Sequence, residues 1–167
     1  MVPREYPVPD VQTVVTFIEN IWHKARLTPQ SLVICLVYVD RLEARSEGVL
    51  LHARSWRPII FASLLLASKV WHDISYWNSD FSSICPMFNL RNVNRMERAY
   101  LQLLQYNTII SSSQYAQYYF SLRHAAKQAG GGEGLLHMRK GQDPYPLEGW
   151  RRLGDGDSAV YEGPGGD

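Results

Sequence analysis

The chain predicts an all-α fold, and three observations carry that prediction. Apolar residues recur at helical spacing in several segments. No segment alternates convincingly with the period of two that marks a strand. The stretch from Ile59 to Asp73, IIFASLLLASKVWHD, is apolar nearly all round and then ends in Ser68, Lys69, Trp71, His72 and Asp73. A helix apolar on every side belongs at the centre of a helical domain. The polar groups at its end must reach the surface together, as a small contact set on a rigid support.

The first helix is expected over 10–26. Asp10 stands as N-cap after the extended Pro-Val-Pro, and Val11, Val14, Val15, Ile18, Ile21, Trp22 and Ala25 mark one buried face. The second starts at Thr28-Pro29, a cap followed by proline in the first turn. Leu32, Val33, Leu36, Val37, Val39 and Leu42 give it a broader apolar surface. Arg41, Glu43, Arg45 and Glu47 read as solvated, and Gly48 as the residue that closes the helix. The third begins near Ser55, with Trp56 and Pro58 in its first turn, and runs to about Trp71.

Periodicity is lost from His72 to Asn89. That stretch reads as loop or one short helical turn, tied down by Trp77, Phe81, Ile84, Met87 and Phe88. Asn89 caps the fourth helix, whose stripe is Val93, Met96, Tyr100, Leu103 and Leu104 and which is expected to end near Asn107. Ser111 to Ser113 cap the fifth, with Tyr115, Tyr118, Tyr119 and Leu122 facing inward and Gly130-Gly131-Gly132 ending it. From 129 onward glycine and proline are frequent and apolar residues have no period, so 129–167 is expected to be a disordered Gly-rich tail. The reading is thus a lead over 1–9, one five-helix domain over 10–128, and the tail.

Composition excludes several classes. Seventeen basic and sixteen acidic residues argue against a nucleic-acid binder that works by bulk charge. Cys35 and Cys85 stand in apolar surroundings without a CxxC and read as buried thiols of a reducing compartment. The N-terminus has neither an apolar signal core nor the Met-Gly start of myristoylation, and no apolar run reaches the roughly 18 residues of a membrane span. An intracellular protein, cytoplasmic or nuclear, with no direct membrane anchor is expected. No P-loop, GxGxxG, GxSxG or HExxH occurs, and the five histidines have no partner at metal-site spacing. Neither a cofactor nor a metal nor a small-molecule substrate is expected, and no constellation asks for catalysis.

Certain segments are recognisable. LLLASKVW, a gap, and then NRMERAYLQLLQYN resemble the third and fourth helices of a cyclin box. More narrowly, Ala67-Ser68-Lys69-Val70-Trp71, Trp77-Asn78 with Asp80, Leu101–Asn107 and the run SSQYAQYYFSLR at 112–123 resemble the cyclin Y group of the PHO-type cyclins. LVYVDRL at 36–42 fits the second helix of the same box, so the resemblance covers roughly residues 10–127.

The resemblance implies a regulatory subunit that binds a cyclin-dependent protein kinase, with PFTAIRE or PCTAIRE kinases as first partners, and holds its mobile regulatory helix in the active position. The family's contact pair is a lysine ending the third helix and a glutamate in the fourth. These match Lys69 in LLASK and Glu97 in RMER. Trp71, Asp73, Tyr115, Tyr118 and Tyr119 complete the expected partner surface. Tyrosine suits an interface because it joins large area to a polar tip, and three within five residues cannot all face one core.

The bland alternatives are a solvated Lys69, a Glu97 paired with Arg95 or Arg98, and Trp71 and Trp77 as packing residues. Three departures stand out. His72 occupies a position that is usually acidic in the family. DVQTVVTFIENIW lacks the methionine-arginine-alanine-isoleucine-leucine pattern of a substrate-docking patch. The glycine-rich segment replaces the charged C-terminal one of the cyclin Y group.

Overall fold

A computed structural model describes residues 6–45, 51–71 and 76–128. Among them are six α-helices and no strand: α1 (Val11–Lys24), α2 (Pro29–Arg45), α3 (Trp56–Trp71), α4 (Asn78–Ile84), α5 (Leu90–Leu103) and α6 (Ser112–Gln128). The all-α class holds. The stretch read as loop or a single turn contains α4, so there are six helices rather than five. Two compact units are present, Met1–Ile110 and Ser111–Asp167. The calls at Gly48, His72, Asp73 and 129–167 lie outside the described residues.

In the first unit α3 is the centre. Every residue from Ile59 to Ser68 is buried, as is Trp56. Against it packs α2, with Val33, Ile34, Cys35, Val37, Tyr38, Val39 and Leu42 buried. The two helices are also joined by a buried hydrogen bond, Ser63 Oγ donating to the Cys35 carbonyl at 2.8 Å. That bond lets a serine sit in the middle of an apolar helix without leaving a buried polar group unmet. Burial pushes the Cys35 thiol up to about 12, with Ser63 opposing the shift. Cys35 and Cys85 are both buried and free.

Three of the caps fall where the sequence placed them. Thr13 N donates to Asp10 Oδ1 at 2.6 Å, Asn92 N to Asn89 Oδ1 at 2.9 Å, and Gln114 N to Ser111 Oγ at 3.2 Å. Each meets a first-turn N–H that has no partner within the helix. The two bonds from Thr13 hold the Asp10 carboxyl below its ordinary value.

Four expectations are corrected. The face of α1 is only partly covered: Ile21 and Ala25 are buried, but Val11 is 82% exposed. Trp77 and Met87 do not tie down the 76–89 segment, since both are exposed. Phe81 does this instead, fully buried with its ring 5.9 Å from that of Phe61, and Phe88 lies 4.7 Å from the same ring. The helix expected to reach Asn107 ends at Leu103, where Gln105 and Tyr106 take left-handed φ of 53° and 57°.

Arg41 and Arg45, read as solvated, latch the chain that leaves α5. Arg41 Nη1 donates to the Asn107 carbonyl at 2.9 Å and Nη2 to the Ile109 carbonyl at 2.7 Å, while Arg45 Nη1 donates to the Leu104 carbonyl at 2.6 Å. Tyr38 Oη adds a bond to the Thr108 carbonyl at 2.9 Å. The segment turns away in a strained conformation, and four carbonyls that the helix no longer serves are met from α2.

In the second unit α6 has no buried residue. Tyr115, Tyr118 and Tyr119 are half-buried, and Leu122, expected to face inward, is exposed.

Candidate functional site

The site stands where the buried strut runs out. Ser68, the last fully buried residue of α3, turns its Oγ back to the Leu65 carbonyl at 2.7 Å. Its hydroxyl is thereby satisfied within the helix, and the next residue emerges. Lys69 is half-buried, and its Nζ donates to Glu97 Oε1 at 2.6 Å.

Glu97 comes from α5, whose Val93 and Tyr100 are buried. Positions 93, 97 and 100 lie on one helical face, so burying the first and last fixes Glu97 toward α3. Its second oxygen, Oε2, accepts from Asn78 Nδ2 at 2.6 Å. The same Nδ2 group donates to Asn94 Oδ1 at 2.7 Å. Asn78 is the first residue of α4, whose start is fixed by Asp80 accepting from Trp77 N at 2.9 Å. Three helices therefore meet at one polar cluster, Lys69–Glu97–Asn78–Asn94. Asn78 Oδ1 is buried there without a hydrogen-bond partner.

The cluster carries one cation and one anion, both about three-quarters covered, with side-chain exposures of 26% and 20%. A lysine ammonium has three donors, and one is directed to Glu97. The glutamate keeps acceptor capacity on both oxygens. Hydrogen bonds made by such charged groups are shorter and stronger than neutral ones.

Of the residues nominated from sequence, Lys69 and Glu97 are brought together, and Glu97 pairs with Lys69 rather than with Arg95 or Arg98. Trp71 stands half-buried two residues past Lys69, in the last turn of α3. Asp73 lies outside the described residues. Tyr115, Tyr118 and Tyr119 belong to the second unit, where the rings of Tyr115 and Tyr119 stack with centroids 6.4 Å apart.

Sequence reasoning missed Asn78 and Asn94. Asn94 and Glu97 are three residues apart, and that spacing on a helix is the signal that was available. Asn78 stands only within the Trp77-Asn78 motif of the resemblance and has no role assigned there, because its stretch reads as loop or one short turn. Among the described residues no three His, Cys, Asp or Glu side chains gather as a metal-holding group, and no helix is long and apolar enough to cross a membrane.

The first unit is thus a helical block built on one buried strut, with a cation–anion pair at its exit. Residues 10–109 match the family profile described as "Cyclin, N-terminal domain", and the chain belongs to that family. Cyclin-box proteins as a class are regulatory and work with a kinase partner. No solved structure matches the chain.

Proposed function

We propose that this chain is a regulatory subunit that binds and activates a cyclin-dependent protein kinase. Within the cyclin family we place it in the PHO-type group near cyclin Y, on the resemblance of its 67–71, 77–80, 101–107 and 112–123 segments, which makes a PFTAIRE- or PCTAIRE-like kinase the first candidate. The subunit acts inside the cell, in cytoplasm or nucleus. The observation that carries the reading is the Lys69–Glu97 pair, held at 2.6 Å on the end of a buried helix.

Kinase activation requires an internal lysine–glutamate ion pair that forms only when the mobile regulatory helix is drawn inward. A rigid block that binds the inward position alone shifts the population toward activity. Lys69 donates to carbonyls of the kinase, Glu97 accepts its N–H groups, and apolar surface supplies most of the affinity over an interface of about 800 Å² per partner. On the resemblance, Trp71 and Asp73, and separately Tyr115, Tyr118 and Tyr119 of the second unit, are further partner-binding residues in this reading.

A second reading, a helical adaptor that binds without activating, is favoured by one feature: Glu97 already has both oxygens engaged, by Lys69 and by Asn78. A pull-down from native cells with the wild type and with Lys69→Ala/Glu97→Ala, followed by a kinase assay, separates the readings. The activating subunit predicts kinase recovery with raised activity, lost in the double variant. Undiminished recovery by the double variant overturns the contact pair. Recovery without raised activity, or no kinase recovered by the wild type, selects the adaptor.

A further inference from the structure

Helix α5 has a third face, distinct from the buried one and from the edge that carries Glu97. Arg91, Arg95 and Arg98 are exposed along it at i, i+4 and i+7, and with Leu90 and Asn94 they line an open concavity of about 480 Å³. Among the described residues none of the three arginines forms an ion pair. The lone acid of the helix, Glu97, is held by Lys69 and Asn78. Like charges at i+3 and i+4 spacing destabilise a helix, so this row works against α5 forming at all. It is also local, because the whole chain carries a formal charge of only +1.

We infer that this face is a docking surface for an extended acidic segment of a protein partner. Arg91 and Arg95, four residues apart, are displaced by about 6 Å along the helix axis, and Arg98 lies about 4.5 Å beyond Arg95. Side chains on one side of an extended strand repeat at about 6.6 Å. A segment with carboxylates at alternate positions therefore matches the Arg91–Arg95 step, and the long Arg98 side chain at the end of the row adds a third positive charge within reach. Each guanidinium offers a planar fork that pairs with a carboxylate bidentately. Leu90, 44% exposed at the N-terminal end of the row, gives an apolar flanking residue something to cover. The inference rests on the geometry of α5 alone and stands or falls apart from the kinase reading.

The test is fluorescence anisotropy of the full chain with a short labelled peptide that alternates glutamate with alanine. Binding is expected, weakening as salt rises from roughly 0.05 to 0.3 M. Arg91→Glu/Arg95→Glu is expected to weaken it about tenfold or more, because like charge replaces opposite charge. Arg123→Glu, which alters an exposed arginine of α6, is expected to leave it unchanged. Circular dichroism confirms that each variant keeps its helices; these side chains are exposed, so their removal opens no cavity. Equal losses in the α5 and α6 variants reduce the effect to bulk charge and overturn the inference. So does a single-stranded oligonucleotide that binds the arginine row as tightly as the acidic peptide does, or a lysine-alternating peptide that binds equally well.

Discussion

Helices α3 and α5 meet at Lys69 and Glu97, yet they are built on opposite plans. From Ile59 to Ser68 α3 is buried on every side, while α5 is buried only along Val93 and Tyr100. The first contributes stability and nothing else until its final turn. The second is divided by face, one edge for the core, one for Glu97 and one for the arginine row. Position is supplied by the helix that has no exposed choice, and chemistry is displayed by the helix that has several. Removing a side chain from the buried run of α3, Ile59 to Ser68, should therefore destabilise the protein strongly, whereas removing one from α5's exposed faces should leave it folded and alter what it binds.

The largest effect expected is at Phe61. It is fully buried and packs against the rings of Phe81 and Phe88. Phe61→Ala deletes that contact and opens a cavity, and should cost about 3–5 kcal/mol in urea denaturation. Arg95→Ala, on the exposed face of α5, should lie within about 0.5 kcal/mol of wild type. Similar losses for the two would break the contrast.

Next comes the anchor that α2 provides at the exit of α5. Arg41→Ala removes the bonds to the Asn107 and Ile109 carbonyls and should cost about 1.5–3 kcal/mol, as expected for hydrogen bonds from a charged donor. Hydrogen exchange should quicken over residues 104–110 before it quickens in α3. Uniform acceleration instead would mean that the latch is part of the core and not a separate restraint on α5.

These two substitutions also mark how far the sequence could be read. Phe61 lies in a run so apolar that no helical face was left for water, and its burial followed from that alone. Arg41 looked like any charge near a helix end. Its role depends on carbonyls 66 and 68 positions away, presented only because Gln105 and Tyr106 turn left-handed. No local pattern announces that turn, since neither residue is a glycine or asparagine. The same limit hid Asn78: a two-turn helix is too short for periodicity to register. Lys69 and Glu97 were legible because a resemblance named them, and Asn94 only as a neighbour at helical spacing.

Alkaline pH tests the seam between α2 and α5 by titration. Burial pushes Tyr38 up to about 12, with Arg41 opposing, and burial also raises Tyr100 well above its ordinary value of 10.0. A folded pKa above the unfolded one gives stability that is fully present below pH about 10 and is lost as pH rises toward about 12. Tyrosinate absorbance should show these two of the ten tyrosines ionising together with unfolding. Tyr38→Phe should cost about 1 kcal/mol at neutral pH, through the bond to Thr108, and should flatten the alkaline loss. Early ionisation of every tyrosine would place this seam in water.

The smallest effect on folding, and the largest on binding, is expected at the junction of the two helices. Lys69→Ala removes an ion pair whose members stay partly exposed, and such pairs contribute about 0.2–1 kcal/mol. Denaturation should scarcely register the change, and rising salt should erase the difference between variant and wild type. Kinase recovery in the pull-down should fall about tenfold or more, because a charged donor that meets partner carbonyls contributes about 1.5–3 kcal/mol. A stability loss as large as that of Phe61→Ala, with kinase recovery unchanged, would make the pair a structural tie between α3 and α5. The reverse result separates the two helices as their burial does: the strut holds the fold, and its last turn serves the partner.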